Sequence, residues 1–172
     1  MTDDLWPVSI GMFRVKGGWC AAAWTRKGLC ALTLPTRKRA EAFRKLSSLT
    51  DPGNPGTSSK PPSDIVMAVR LALSGKPFRP PKTDLSALTE FQRRILRATA
   101  TIPLGQTRSY AWTAGKAGSP LGCRAAGQAL HANPIPLLIP CHRVVESGGG
   151  IGGFGGGLRW KRFLLRLEST RR

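Results

Sequence analysis

Hydrophobic positions come in short bursts at the start of the chain and settle into helical spacing after residue 89. Val8 to Val15, Trp19 to Thr25 and Leu29 to Leu34 are apolar runs parted by Gly17-Gly18 and Lys27-Gly28. Runs this short, bounded by turn residues, predict an antiparallel meander. Arg37 to Leu49 reads as a helix, with Ala40, Phe43, Ala42 and Leu46 at the spacing of a sheet-facing stripe. Asp51 to Pro62, rich in Pro, Gly and Ser, reads as a loop. Asp64 to Leu73 resumes a helical pattern through Ile65, Val66, Val69 and Leu73. Three prolines within Lys76 to Lys82 then impose extended backbone, and the domain boundary is placed there, giving 1–83 and 84–172.

The second part opens on Thr89-Glu90-Phe91-Gln92, a capping box whose threonine and glutamine side chains satisfy free backbone N–H groups. Phe91, Ile95, Ala98 and Ile102 form one stripe, and Pro103 ends the helix. Ser109 to Lys116 predicts a second short helix closed by Gly118, and a third runs from Pro120 to about His131. Two short helices joined by a brief glycine-containing turn outline a helix-turn-helix. Pro134 to Pro140, carrying Ile135, Leu137, Leu138 and Ile139, reads as a buried extended segment that delivers Cys141. Ser147 to Gly157 holds eight glycines in eleven residues, the composition of a linker or of backbone brought close to a ligand. Trp160, Phe163, Leu164 and Leu167 stand at i, i+3, i+4 and i+7 of a last amphipathic helix, with Glu168 at the edge of the stripe. The pattern as a whole predicts an α+β chain: a small sheet-plus-helix domain, then a mainly helical one with a helix-turn-helix of winged-helix-like outline.

Charge turns this outline toward a function. The 172 residues carry 27 Lys and Arg against 9 Asp and Glu, a net charge of +18. Such an excess favours polyanions, above all nucleic acid, because each neutralised phosphate releases counterions. The excess is split evenly on either side of Thr83, so it does not locate the binding face. Cys20, Cys30, Cys123 and Cys141 form no CxxC pair and, with only two histidines, do not compose a zinc site. The acidic start, Met1-Thr2-Asp3-Asp4, lacks the apolar core of a signal peptide, and no stretch reaches the roughly 20 apolar residues of a membrane span. The expectation is a cytoplasmic, intracellular protein that needs no membrane, in a reducing compartment where thiols serve packing or chemistry.

Ile139-Pro140-Cys141-His142-Arg143-Val144 supplies the chemistry. A thiolate is the nucleophilic form of cysteine, and an imidazole that takes its proton, oriented in turn by a carboxylate such as Glu168, is how proteins generate it. Adjacent side chains of an extended segment point opposite ways, so the spacing leaves open whether Cys141 and His142 bond directly or through one water.

From Thr89 to Glu168 the chain resembles the methylated-DNA–protein-cysteine methyltransferases, or O6-alkylguanine-DNA alkyltransferases. The resemblance is carried by Asn133-Pro134-Ile135-Pro136-Leu137-Leu138-Ile139-Pro140-Cys141-His142-Arg143-Val144-Val145, and supported by Ile102 to Tyr110, Cys123-Arg124-Ala125-Ala126, and Gly156-Gly157-Leu158 ahead of Lys161. It implies Cys141 as alkyl acceptor, His142 and Glu168 linked to it through water, Asn133 as the hinge before the active-site strand, and Tyr110 as hydrogen-bond donor to the purine. It implies Arg124 as the finger that fills the gap left by a flipped nucleotide, on a helix entering the minor groove with Ala125, and with Thr107 and Ser109 also at the DNA. Backbone from Val144 to Gly157, including Phe154, Gly155, Gly156 and Gly157, would line the substrate pocket. The implied partner is double-stranded DNA containing alkylated guanine, met by a monomer without cofactor. Residues 1–83 match only in outline, as an α/β, ribonuclease H-like support domain. The chain departs from the usual pattern at His131-Ala132, Phe154 and Gly155, positions that bear on substrate range.

Three other functions fit parts of this pattern. A relative that recognises alkylated DNA without efficient transfer would characteristically lack the acceptor cysteine, which is present. A Cys-His hydrolase needs an oxyanion hole, and no separate motif supplies one. A sequence-reading DNA-binding protein would place base-edge side chains on a recognition helix that here is mostly Ala, Gly and Leu.

Overall fold

The computed structural model describes residues 8–50 and 56–169, so the acidic start of the chain and residues 51–55 of the proline- and glycine-rich stretch lie outside the described residues. The chain is a mixed α+β protein that divides into two compact units, 1–70 with 79–85, and 71–78 with 86–172.

In the first unit, β1 (Ser9–Val15), β2 (Gly18–Thr25) and β3 (Gly28–Leu32) form the antiparallel meander. Gly28 is required by a close approach: a Cβ there would lie 2.4 Å from the Lys82 carbonyl, in the segment that pairs with Leu29. α1 (Arg39–Ser47) packs on the sheet, and Ala42 and Leu46 join Ala21, Ala23 and Ala31 in its core. The predicted stripe is corrected here: Ala40 and Phe43 are exposed, because the small alanines of the sheet are covered by the 42/46 face. A second correction lies in the stretch read as a loop, where β4 (Thr57–Ser58) pairs parallel to β1 and gives the strand order β3-β2-β1-β4. α2 (Ser63–Ala72) follows.

The second unit is built on α3 (Glu90–Ala100), α4 (Tyr110–Lys116) and α5 (Cys123–His131), which pack on one another. The Thr89 capping box is formed as the sequence predicts, and Ser109 caps α4 by accepting from the Trp112 N–H. α5 begins at Cys123 rather than Pro120, leaving Leu121 fully exposed in the turn of the helix-turn-helix. β5 (Arg108–Ser109) and β6 (Val144–Val145) form a short parallel pair. Between α5 and β6 the chain is not extended. Residues 134–140 fold into a tight turn, with the Ile139 N–H donating to the Ile135 carbonyl and Leu137 at φ +76°, and Cys141–Arg143 form one turn of 3-10 helix. α6 (Leu158–Ser169) closes the unit. Its buried face is Lys161, Leu164 and Glu168, whereas Phe163 stays about half exposed against Trp160; polar partners inside the unit, described below, draw the two charged residues inward. No helix among the described residues is long and apolar enough to cross a membrane.

Candidate active site

Three consecutive residues of the 3-10 turn, Cys141, His142 and Arg143, are buried, and each finds a partner of a different kind. Asn133, at the foot of α5, reaches across the tight turn: its Nδ2 donates to the Ile139 carbonyl at 3.1 Å and to Cys141 Sγ at 3.0 Å, while its Oδ1 accepts from the Ile135 N–H. One side chain thus fixes the turn and the thiol together. Asn133 is the hinge of a turn, not of a strand.

His142 Nε2 lies 2.8 Å from Glu168 Oε1, and both side chains are buried. Arg143 grips the same carboxylate from the other side, with Nε 2.9 Å from Oε2 and Nη2 3.0 Å from Oε1, and its Nη1 donates to the Ile102 carbonyl. Burial alone would push Glu168 up, but hydrogen bonds from His142 and Arg143 outweigh it and hold the carboxyl near 2. Burial lowers His142 below its ordinary value despite Glu168. A carboxylate facing a neutral imidazole assigns the ring proton to Nε2, since an ionised carboxylate can only accept. Nδ1 is then the basic nitrogen, and it is the one buried side-chain polar atom among the described residues with no partner.

Burial pushes the Cys141 thiol up to about 11, while Asn133, nearby backbone N–H groups and the charge of Lys161 pull the other way. The resting group is a thiol that needs a base. Lys161 is fully buried on α6 and donates to the carbonyls of Val144, at 2.6 Å, and Gly153, at 2.9 Å; burial lowers it to about 8. Its ammonium also stands 5.8 Å from the centre of the Tyr110 ring.

Beside Cys141 lies a cavity of about 50 Å³ lined by Tyr110, Gly127, Leu130, His131, Cys141, Gly153 and Phe154. The Tyr110 hydroxyl donates to the Gly153 carbonyl at 3.3 Å, and burial, reinforced by Glu146, raises its pKa. Gly152, at φ +67°, admits no side chain, since a Cβ there would stand 2.7 Å from the Tyr110 hydroxyl. Phe154 meets His142 edge-on, with ring centroids 6.5 Å apart.

The structure therefore brings together Cys141, His142, Glu168, Asn133, Tyr110 and Phe154. It does not bring Gly156 or Gly157 to the cavity: Gly157 instead leads into α6, donating to the Phe154 carbonyl and accepting from Trp160 and Lys161. Gly155 is exposed beside His131, and Val144 is buried as the acceptor of Lys161 rather than as a cavity wall. Arg124 and Ala125 are exposed on the first turn of α5, and Thr107 is exposed ahead of β5. The Ser109 hydroxyl is occupied as a helix cap. From the sequence, Arg143 and Lys161 receive no role, although both stand in the matching motifs, and His131 stands out only as a departure from the family pattern. A signal for Lys161 was available, since it shares one helical face with Leu164 and Glu168 at i, i+3 and i+7.

Residues 90–170 match the family described as 6-O-methylguanine DNA methyltransferase, DNA binding domain. A methylated-DNA–protein-cysteine methyltransferase of Mycobacterium bovis is 48% identical over 83 residues, 48% of this chain and 50% of the relative. One from Methanothermobacter thermautotrophicus is 42% identical over 118 residues, 65% of each chain. The chain thus spans about half the length of the mycobacterial relative it matches. Over nearly the whole chain the fold resembles the crystal structure of Mycobacterium tuberculosis O6-methylguanine methyltransferase, with TM-score 0.76, 32% identity, and 96% of this chain and 94% of that one covered. The structure of Mycobacterium tuberculosis OGT in complex with DNA gives TM-score 0.74 at 32% identity, covering 95% and 94%.

Proposed function

This chain belongs to the methylated-DNA–protein-cysteine methyltransferase family, and we propose that it repairs DNA by taking a methyl or other alkyl group from O6 of guanine onto Cys141, once per molecule. The observation that carries this reading is the buried chain Asn133–Cys141, His142–Glu168–Arg143 beside a cavity that also holds Tyr110.

The arrangement supports the following sequence. Neutral His142 takes the Cys141 proton at Nδ1 through a bridging water, and Glu168, held ionised by Arg143, stabilises the imidazolium that forms. Asn133 and the Lys161 charge favour the thiolate. Sγ bonds to the alkyl carbon, the carbon–O6 bond breaks, and its electron pair stays on the guanine. Tyr110, exchanging its Gly153 acceptor for the purine, stabilises that charge, and the proton taken up by His142 returns through water to the guanine, which stays in the DNA as the neutral base. The product is a thioether with no route back to thiolate, so the protein is consumed. The lesion is stacked inside the duplex, so the base must be flipped out, with Arg124 and Ala125 at the groove and Arg124 filling the gap. We further propose double-stranded DNA carrying alkylated guanine as the partner of a monomer, and residues 84–172 as the part that holds both DNA and thiol.

Stoichiometry tests this. With a duplex carrying O6-methylguanine in excess, lesions repaired should plateau at one per protein molecule. Continued turnover would contradict it in favour of a Cys-His hydrolytic site, and tight binding without repair would favour recognition alone.

A further inference from the structure

We propose that His131 is a further residue of the transfer site, the side-chain donor that holds the edge of the purine presented to Cys141. The inference rests on the reading of the site as an alkyl-transfer pocket. Three polar side chains line the cavity, those of Tyr110, His131 and Cys141. Cys141 is the nucleophile and is held by Asn133, and the Tyr110 hydroxyl is engaged with the Gly153 carbonyl. The His131 imidazole makes no hydrogen bond or ion pair with another described residue.

Its placement follows from the same short segment that positions the thiol. α5 ends at His131, and the N–H groups of Ala132 and Asn133 close it on the Gln128 and Leu130 carbonyls. Two residues beyond His131, Asn133 fixes Cys141, so little chain separates the imidazole from the group that sets the position of Sγ. Gly155 comes close to His131: a Cβ there would lie 3.0 Å from the His131 carbonyl and 4.0 Å from Nδ1. Residue 155 carries no side chain, Gly153 and Gly127 carry none, and Leu130 and Phe154 are apolar. Beside Gly155 the imidazole is the side chain able to hydrogen-bond a base. As the carbon–oxygen bond breaks, negative charge develops on the guanine, and an N–H of His131 aimed at the purine stabilises it in the way Tyr110 does from its own side. His131 is exposed at the cavity mouth, where an entering base reaches it.

The test compares the full-length chain with His131→Leu and His131→Gln in single-turnover transfer, on duplex DNA bearing O6-methylguanine and on the free O6-methylguanine base. His131→Leu should be about tenfold slower on both substrates, the order of one lost hydrogen bond. Duplex affinity, read by anisotropy, should stay within about twofold, since phosphate contacts dominate it. His131→Gln, which keeps an N–H donor, should recover most of the rate. Wild-type rates in His131→Leu, or equal slowing in both variants, would overturn the proposal. Absence of transfer by the unaltered chain would overturn the transfer reading itself, and this one with it.

Discussion

Each compact unit buries a cysteine, and the two thiols differ little in resting acidity. Cys20, in β2, is completely buried, and burial alone pushes it to about 12. Cys141 is 6% exposed and rests at about 11. The difference lies in what surrounds them. Around Cys20 nothing offsets burial, whereas Cys141 has an amide donor at 3.0 Å, a buried ammonium acting on it, and the next residue in the chain is a histidine whose basic nitrogen is unpartnered. A buried thiol is therefore marked as reactive less by its resting state than by groups arranged to receive its proton and to hold the charge left behind.

The largest test of that contrast removes the carboxylate. Glu168→Ala leaves Arg143 charged, buried and short of its main partner, a change expected to cost about 3–5 kcal/mol of unfolding free energy. Urea denaturation reads it, and a cost near that of an exposed ion pair would contradict the buried hub. The same carboxylate gives a pH dependence. Glu168 is held near 2 against an ordinary 4.5, so between those values the native chain binds fewer protons than the unfolded one. Its contribution is complete above pH 4.5 and is lost as the pH falls toward 2, and Glu168→Gln should show a shallower fall in stability over that window.

A smaller effect is expected at Asn133. Asn133→Leu leaves the Ile139 carbonyl and the Ile135 N–H without their buried partner and should cost about 1–3 kcal/mol. It also strips Cys141 of its side-chain donor, making that environment resemble the one around Cys20. Alkylation of Cys141 by iodoacetamide should slow accordingly. An unchanged rate would show that Asn133 holds the turn and does nothing for the thiolate.

Much of this site could be read from residues with a local signature. The Thr89 capping box, the helix start at Ser109 and the flanks of Cys141 all act within a few positions of the chain, and the structure forms the Thr89 box as expected. What was not legible depends on partners distant in sequence. Charge alone gives no sign that Arg143 and Lys161 are buried; they are buried because Glu168, 25 residues from Arg143, and the Val144 carbonyl, 17 from Lys161, satisfy them. The run from Pro134 to Pro140 looks extended because its prolines forbid a helix, yet it folds as a turn because Asn133 supplies the hydrogen bonds that a strand neighbour would have given. Phe43 falls on the stripe that helical spacing aims at the sheet, but a sheet surface of alanines is covered by the face bearing Ala42 and Leu46.

The comparison of the two thiols comes down to where the alkyl group goes. Intact-protein and peptide mass spectrometry after incubation with duplex DNA bearing O6-methylguanine should show one added methyl group, on Cys141, with Cys20 unmodified and no adduct on Cys141→Ala. A methyl group on Cys20, or transfer that persists in Cys141→Ala, would contradict the account.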